Sequence, residues 1–150
     1  MANTYTALHY QFVFSTKNRR AWITAEIEER IWEYLGGIAR TNKLKPIRIG
    51  GIEDHVHMLV GAPVTMAPAK IAQLVKGGSS AWIHETFLKL RDFAWQDGYG
   101  AFTASKSVIS DLAAYIANQR EHHRERTFQE EYRELLERHG IAYDERYVWD

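Results

Sequence analysis

The amino-acid sequence predicts an α+β fold of the ferredoxin-like type: a split βαβ sandwich with an antiparallel sheet, helices on one face, and further helices at the C-terminus. Three observations lead there. Stretches with two-residue alternation and stretches with three-to-four-residue periodicity follow one another as strand, helix, strand, strand, helix, strand. The connection between the second and third strands is too short for a crossover, so those two pair antiparallel. Beyond the last strand the pattern is helical only. No repeat, low-complexity run or linker interrupts residues 1–150, which read as one domain.

The elements follow in order. Tyr5 to Ser15 is the first strand, with Leu8, Tyr10, Phe12 and Phe14 alternating imperfectly with His9, Gln11, Val13 and Ser15. A turn, Lys17-Asn18-Arg19-Arg20, comes next. Thr24 is the N-cap candidate of a helix whose Ile27, Ile31, Leu35 and Ile38 share one face and which fades near Asn42. Pro46 introduces a second strand, Ile47 to Ile52. The third strand, Asp54-His55-Val56-His57-Met58-Leu59-Val60, is entered from Gly50-Gly51 and left at Gly61 and Pro63.

A second helix begins near Pro68 and presents Ile71, Leu74, Val75, Trp82 and Ile83. Gly77-Gly78 interrupts it and predicts a kink or a close backbone approach; with Lys76, Ser79 and Ser80 it is also a place where a phosphate chain could pass. Phe93 to Thr103 reads as a last strand or hairpin. Ser105 or Ser107 caps a helix from Val108 to His122 with Ile109, Leu112, Ala113 and Ile116 buried. The final helix opens with the capping box Thr127-Phe128-Gln129-Glu130, buries Phe128, Tyr132, Leu135 and Leu136, and closes at Gly140.

Composition narrows the class. The chain has no cysteine, which excludes disulfides and thiolate metal sites and fits a reducing compartment. No apolar run approaches a membrane span and the first residues lack a signal-peptide pattern, so the expectation is a cytoplasmic protein without a membrane partner. The net charge is zero, but residues 1–50 carry 8 Lys/Arg against 4 Asp/Glu, and residues 101–150 carry 7 against 10. The early cations cluster at Lys17, Arg19 and Arg20 and at Lys43, Lys45 and Arg48, either a phosphate-facing surface or solvated loops.

The third strand carries the chemistry. Successive side chains on a strand point to opposite faces, so His55 and His57 share one face while Val56 enters a core on the other. Two imidazoles on a rigid strand suit a metal ion; two histidines on a wet face are the plain alternative. Tyr115 and Gln119 lie four residues apart, one helical turn, and project from the same side. A tyrosine hydroxyl can act as a nucleophile beside a cation, and a glutamine oxygen can ligate a hard metal. Alone, Tyr115 reads first as an interfacial aromatic with its hydroxyl in water and Gln119 as a surface residue, ahead of any chemical role.

Taken together, Asp54-His55-Val56-His57-Met58-Leu59-Val60 and Tyr115-Ile116-x-Asn118-Gln119-x-Glu121-His122-His123 resemble the single-tyrosine HUH transposases, the single-strand insertion-sequence transposases and REP-associated tyrosine transposases. Tyr10 to Arg20, Lys76 to Trp82, Trp95-Gln96-x-Gly98-Tyr99 and Phe128 to Asp150 are similar to the same family. The resemblance implies a single-strand DNA transposase in which Tyr115 attacks the scissile phosphate and forms a 5′-phosphotyrosine. It implies that His55, His57 and Gln119 hold Mg²⁺ or Mn²⁺, with no small-molecule cofactor. It further implies a DNA hairpin as partner and a homodimer, with the tyrosine acting in its own chain or its neighbour's. Lys17, Arg19, Arg20, Lys76 and Arg120 are the candidate phosphate contacts.

Of the remaining histidines, His122 and His123 read as a solvated helix end, with His122 the alternative third ligand, His9 is placed to flank the site from the first strand, and His84 and His139 read as structural or surface groups. Three rivals stand beside the transposase. One is a domesticated single-strand nickase, and one is a relaxase or replication initiator. The third is a non-catalytic nucleic-acid-binding module, in which Tyr10, Phe12 and Phe14 form an aromatic platform of the RRM-like kind.

Overall fold

The computed structural model describes residues 2–150. Four strands, β1 (His9–Ser15), β2 (Lys45–Ile52), β3 (His55–Gly61) and β4 (Gly100–Thr103), form one sheet in the order β2-β3-β1-β4 with every pair antiparallel. With α1 (Glu28–Thr41) between β1 and β2 and α2 (Pro68–Thr86) between β3 and β4, this is the ferredoxin-like split βαβ sandwich that the sequence predicts. Three further helices follow: α3 (Ile109–Ala117), α4 (Gln119–His122) and α5 (Phe128–Arg138). Among the described residues no helix is long and apolar enough to cross a membrane.

The two-residue period of the strands divides the molecule. Phe12, Phe14, Val56, Met58 and Val60 point to one face and join Ile31, Leu35, Ile71, Val75 and Ile83 of α1 and α2 in the main core. The opposite face presents Gln11, Val13, Ser15, His55, His57 and Leu59, paired across strands as Gln11–Leu59, Val13–His57 and Ser15–His55. It is covered by α3 through Ile109 and Ile116 packed near Leu59, and by α5 through Phe128, Tyr132, Leu135 and Leu136 against Val13 and Phe102. Phe12 and Phe14 are therefore sealed under α1 and α2 rather than displayed, so the aromatic-platform expectation fails.

Several boundaries differ from the sequence expectation. β1 starts at His9, not Tyr5, because His9 pairs with Gly61, the last residue of its neighbour β3. α1 starts at Glu28; the Thr24 hydroxyl is not its cap, and only the Thr24 carbonyl accepts the first turn's amides, Ile27 N and Glu28 N. β2 reaches back to Lys45 and includes Pro46, tolerated on an edge strand beside a register shift. Only Gly100–Thr103 of the last strand pairs with β1 in the sheet proper, with Trp95 forming one isolated bridge to Thr16. α2 runs unbroken through Gly77-Gly78. Gly78 is the close approach, since a Cβ there would sit 3.1 Å from the Ile38 side chain of α1, while Gly77 faces open space. Ser79 is buried, bonding the Val75 carbonyl and accepting from Trp95 Nε1, so it faces the core and not a phosphate.

The expected helix from Val108 to His122 is broken. Ser105 and Ser107 bond each other rather than cap it, and α3 ends at Asn118, whose Nδ2 donates to the Ala114 carbonyl at 3.0 Å. An asparagine that captures the carbonyl four residues back competes with the helical ladder and stops it. α4 then restarts with Gln119. α5 is capped as the sequence predicts: the Thr127 hydroxyl accepts from Glu130 N, and the Glu130 carboxylate accepts from Thr127 N.

Gly50 is what lets α3 lie on the sheet. A Cβ at Gly50 would sit 2.7 Å from the Ile116 carbonyl oxygen, a backbone atom that cannot rotate away. Gly50→Ala is expected to push α3 off β2 and cost about 2 kcal/mol, read as a lower urea midpoint. Gly77→Ala, in open space, is expected to stabilise α2 by about 0.5–1 kcal/mol.

Candidate functional site

β3 delivers His55 and His57 to the face under α3–α5, and both side chains are fully buried. They are not on a wet face. α5 sends Glu131 down between them: its Oε1 lies 2.9 Å from His57 Nε2 and 3.4 Å from His55 Nε2. α4 brings Gln119 Oε1 to 2.8 Å from His55 Nε2. His123, just past α4, places its Nε2 3.0 Å from Gln119 Oε1 and 3.2 Å from Glu131 Oε1. Tyr115, near the end of α3, donates its hydroxyl to Glu131 Oε2 and accepts from Arg126 at 2.6 Å.

The outer hydrogen bonds fix how these groups can act. His55 Nδ1–H donates to Asp54 at 2.8 Å, and His123 Nδ1–H donates to the Arg126 carbonyl at 2.9 Å. Their Nε2 lone pairs then face Gln119 Oε1 and Glu131 Oε1, which are acceptors themselves. Glu131 Oε1 is an acceptor however the carboxylate turns, so its approach to these lone pairs requires a cation or an added proton. Gln119 as placed points its oxygen inward and leaves its buried Nε2 without a partner, whereas half a turn of that amide would donate Nε2–H to the imidazoles. A histidine whose far nitrogen donates to a carboxylate or carbonyl is the arrangement that orients metal-bound imidazoles. Gln11 Nε2 lies 2.9 Å from His57 Nδ1, and half a turn of that amide would let Nδ1–H donate to its oxygen and free Nε2. His55, His57 and Glu131 offer ligand atoms within 4.8 Å of one another, so the donor set fits a divalent cation.

Electrostatics set the protonation states. Burial disfavours the Glu131 carboxylate, but the attraction of His57 and His55, which become imidazolium at the low pH where Glu131 would protonate, and the hydrogen bonds of His123 and His57 outweigh it and hold the carboxyl well below its usual range. Burial keeps His57 neutral, pushing its pKa down against the pull of Glu131. Burial works against charge at His123 too, yet its hydrogen bond to Glu131 prevails and raises it. Burial and the Glu131 contact push the Tyr115 phenol up to about 12. The metal-free site therefore holds a neutral tyrosine donating to an anionic carboxylate.

The sequence-predicted residues separate into two groups. His55, His57, Gln119 and Tyr115 converge in one chain. The proposed phosphate contacts do not converge with them. Lys17, Arg19 and Arg20 lie on the 3₁₀ turn beyond β1, where Lys17 faces Asp97, Arg19 lies over Trp149 and Arg20 over Trp22. Lys76 is half-buried and donates to the carbonyls of Asp97 and Gly98. Arg120 pairs with Glu28 at 2.9 Å and Glu53 at 2.7 Å.

His9 is at the far end of β1, six residues from the Ser15–His55 pair and about 20 Å along the strand, so it does not flank the site. His122 stacks on Tyr115 with ring centroids 4.3 Å apart, and it is His123 that turns inward. Sequence reasoning missed Glu131, Arg126 and Gln11, and it read His123 with His122 as a solvated helix end, whereas His123 turns in to Gln119 and Glu131. The signal for Glu131 was present: a charge on the apolar stripe formed by Phe128, Tyr132 and Leu135.

With this geometry in view, comparisons with known proteins agree on one family. The family model described as "Transposase IS200 like" matches residues 4–119. The ISDra2 transposase TnpA of Deinococcus radiodurans is 25% identical over 117 residues, covering 75% of this chain and 84% of that protein. The transposase for insertion sequence element IS200 of Salmonella typhimurium is 28% identical over 127 residues, covering 81% of this chain and 82% of that protein. In fold, the chain is similar to a crystal structure described as a putative transposase from Deinococcus radiodurans, with TM-score 0.67 and 24% identity over 79% of this chain and 95% of that one. It is also similar to a REP-associated tyrosine transposase bound to a REP hairpin, with TM-score 0.60 and 13% identity over 82% of this chain and 73% of that one.

The buried carboxylate gives a pH signature. Glu131 is harder to protonate folded than unfolded, so its contribution to stability is present above its ordinary value of 4.5 and is lost as pH falls below it. Glu131→Gln is expected to cost about 1–3 kcal/mol at pH 7 in metal-free protein. It is also expected to flatten the decline of the thermal midpoint below pH 4.5.

Proposed function

Because the chain belongs to the IS200-like transposase family, we propose that it is a metal-dependent single-strand DNA transposase in which Tyr115 is the nucleophile and His55, His57 and Gln119 are metal ligands, joined by Glu131 and His123. The observation that carries this reading is the contact of the Tyr115 hydroxyl with Glu131, whose other oxygen is held by His57. One carboxylate thus links the would-be nucleophile to the would-be ligand set.

A divalent cation, Mg²⁺ or Mn²⁺ on family grounds, would draw charge from the scissile phosphate oxygens. The chain's own residues do the rest. Tyr115 Oη attacks phosphorus and forms the O–P bond as the P–O3′ bond breaks. Its proton passes to Glu131 Oε2, and the departing strand takes up a proton as a 3′-hydroxyl. Arg126, bonded to Tyr115 Oη, faces the charge that builds on the phosphate and the tyrosyl oxygen. A second strand's 3′-hydroxyl reverses the step and joins the DNA, so the phosphodiester energy is kept and no nucleotide cofactor is needed.

A hairpin in single-stranded DNA is the proposed partner, consistent with the hairpin carried by the REP-associated neighbour. Lys17, Arg19 and Arg20, all on one exposed turn, are the stronger candidates for its phosphates. Lys76 and Arg120 are already engaged with carbonyls and carboxylates. His55, His57, Gln119 and Tyr115 converge within one chain, which supports a site acting in cis, and a homodimer would then hold two strand ends together.

The test is labelled single-stranded DNA from the flanks of the gene, incubated with Mn²⁺ and resolved on a denaturing gel. A covalent protein–DNA adduct is expected, abolished by EDTA and by Tyr115→Phe, with hairpin affinity in that variant within about twofold of the parent. Cleavage persisting in Tyr115→Phe would overturn the assignment. Gln119→Ala is expected to weaken Mn²⁺ affinity by about tenfold or more, measured calorimetrically without DNA; unchanged affinity would remove Gln119 from the ligand set.

A further inference from the structure

A groove of about 450 Å³ runs beside Tyr115, between α3 and α5. Its size lies within the range of small-ligand pockets, about 300–1,000 Å³. It follows α5 from Glu131 to Arg138, seven residues or about 10 Å of helix. Its apolar lining comes from Ala104, Val108, Leu112 and Leu135, and Val108 is 44% exposed at the rim.

Charge decides what the groove can accept. Arg126 and Arg138 both border it, yet each is already paired with Glu134. Asp111, also in the lining, has no ion pair among the described residues. The two guanidiniums share the Glu134 carboxylate, but Glu131 and Asp111 also line the groove, and its three carboxylates against two guanidiniums disfavour phosphate along it. The groove suits a flat, uncharged, largely apolar group with N–H donors, and a nucleobase is such a group. A phosphodiester placed at Tyr115 Oη carries a nucleoside on each side, and the groove adjoins that oxygen.

We infer that this groove is the subsite for the nucleobase next to the scissile phosphate, with the base lying on Val108, Leu112 and Leu135 and its amino edge turned to Asp111. The inference rests on the reading of Tyr115 as nucleophile. It adds a determinant of cleavage-site choice separate from hairpin binding, and it lies on α3 and α5 rather than on the metal ligands.

The experiment uses the full-length protein and the strand on which it forms its adduct, with the nucleoside on one side or the other of the mapped cleavage point replaced by a tetrahydrofuran abasic residue. One of the two replacements is expected to lower kcat/KM for adduct formation about tenfold with unchanged hairpin affinity. Val108→Trp, which fills the groove from an exposed rim position, is expected to slow the intact strand to the abasic rate and to leave the abasic strand unaffected. Equal rates on intact and both abasic strands would overturn the subsite while leaving Tyr115 as nucleophile. A Val108→Trp variant that slows the abasic strand as much as the intact one, or slows neither, would also overturn it. If no strand forms an adduct, the functional reading falls and the subsite falls with it.

Discussion

An ionised carboxylate buried to 1% exposure is unfavourable by several kcal/mol unless hydrogen-bond donors surround it, and Glu131 sits in that position. Its donors come from three places: His57 on β3, His123 in the loop after α4, and Tyr115 on α3. Removing any one leaves charge uncompensated in a low-dielectric interior, so the three elements and α5 are held in a single relative arrangement. The same contact fixes the chemistry. It holds the carboxyl far below its ordinary range and lifts the Tyr115 phenol to about 12. The free tyrosine is therefore a proton donor aimed at a ready acceptor. A cation among the imidazoles would take up part of the same negative charge, and this makes metal binding and tyrosine protonation linked rather than independent.

That arrangement depends on how closely helices can approach the sheet. Gly50 opposes His57 across β2 and β3 and leaves room for the Ile116 carbonyl. Gly100 does the same on β4, where a Cβ would meet Tyr132 Oη of α5 at 2.9 Å. α3 and α5 thus each have a glycine beneath them. The break at Asn118 matters as much. With α4 restarted as a separate turn, Gln119 is buried facing His55 while Tyr115 is directed to Glu131, so two residues one turn apart serve different neighbours.

The element order, the antiparallel pairing of β2 with β3, the core face of β3 and the capping box of α5 were legible because they follow from local periodicity and short connections. His55 and His57 on one face, opposite Val56, were legible for the same reason. The limits of β1 and β4 were not, because a strand ends where its partner ends, and the pairing of His9 with Gly61 is not written in either segment. The Asn118 break was not legible because the apolar pattern of Ile109, Leu112 and Ile116 leads up to it and no glycine or proline follows between Asn118 and His122 to mark a stop. Lys76 and Arg120 read as free cations in sequence because their partners lie 21 to 92 residues away. Glu131 was visible only as a charge out of place on an apolar stripe.

The division of the chain explains why the last group was the hardest to find. The family match ends at Gln119, after the two strand histidines, the tyrosine and the glutamine. His123, Arg126 and Glu131 all lie beyond it, on a segment whose only local instruction is to form a capped amphipathic helix. That helix reaches the site through long-range fits: Phe128 stacks 4.7 Å from His55, Tyr132 packs over Gly100, and Trp149 lies against Tyr132 with Arg19 and Arg133 on it. Each contact joins residues far apart in sequence. Without α5 the face carrying His55 and His57 would be open to water, and the imidazoles would lose the carboxylate that fixes their spacing. Residues up to Gln119 bring two imidazoles, a phenol and an amide to one face, and the segment that follows buries that face and supplies its charge.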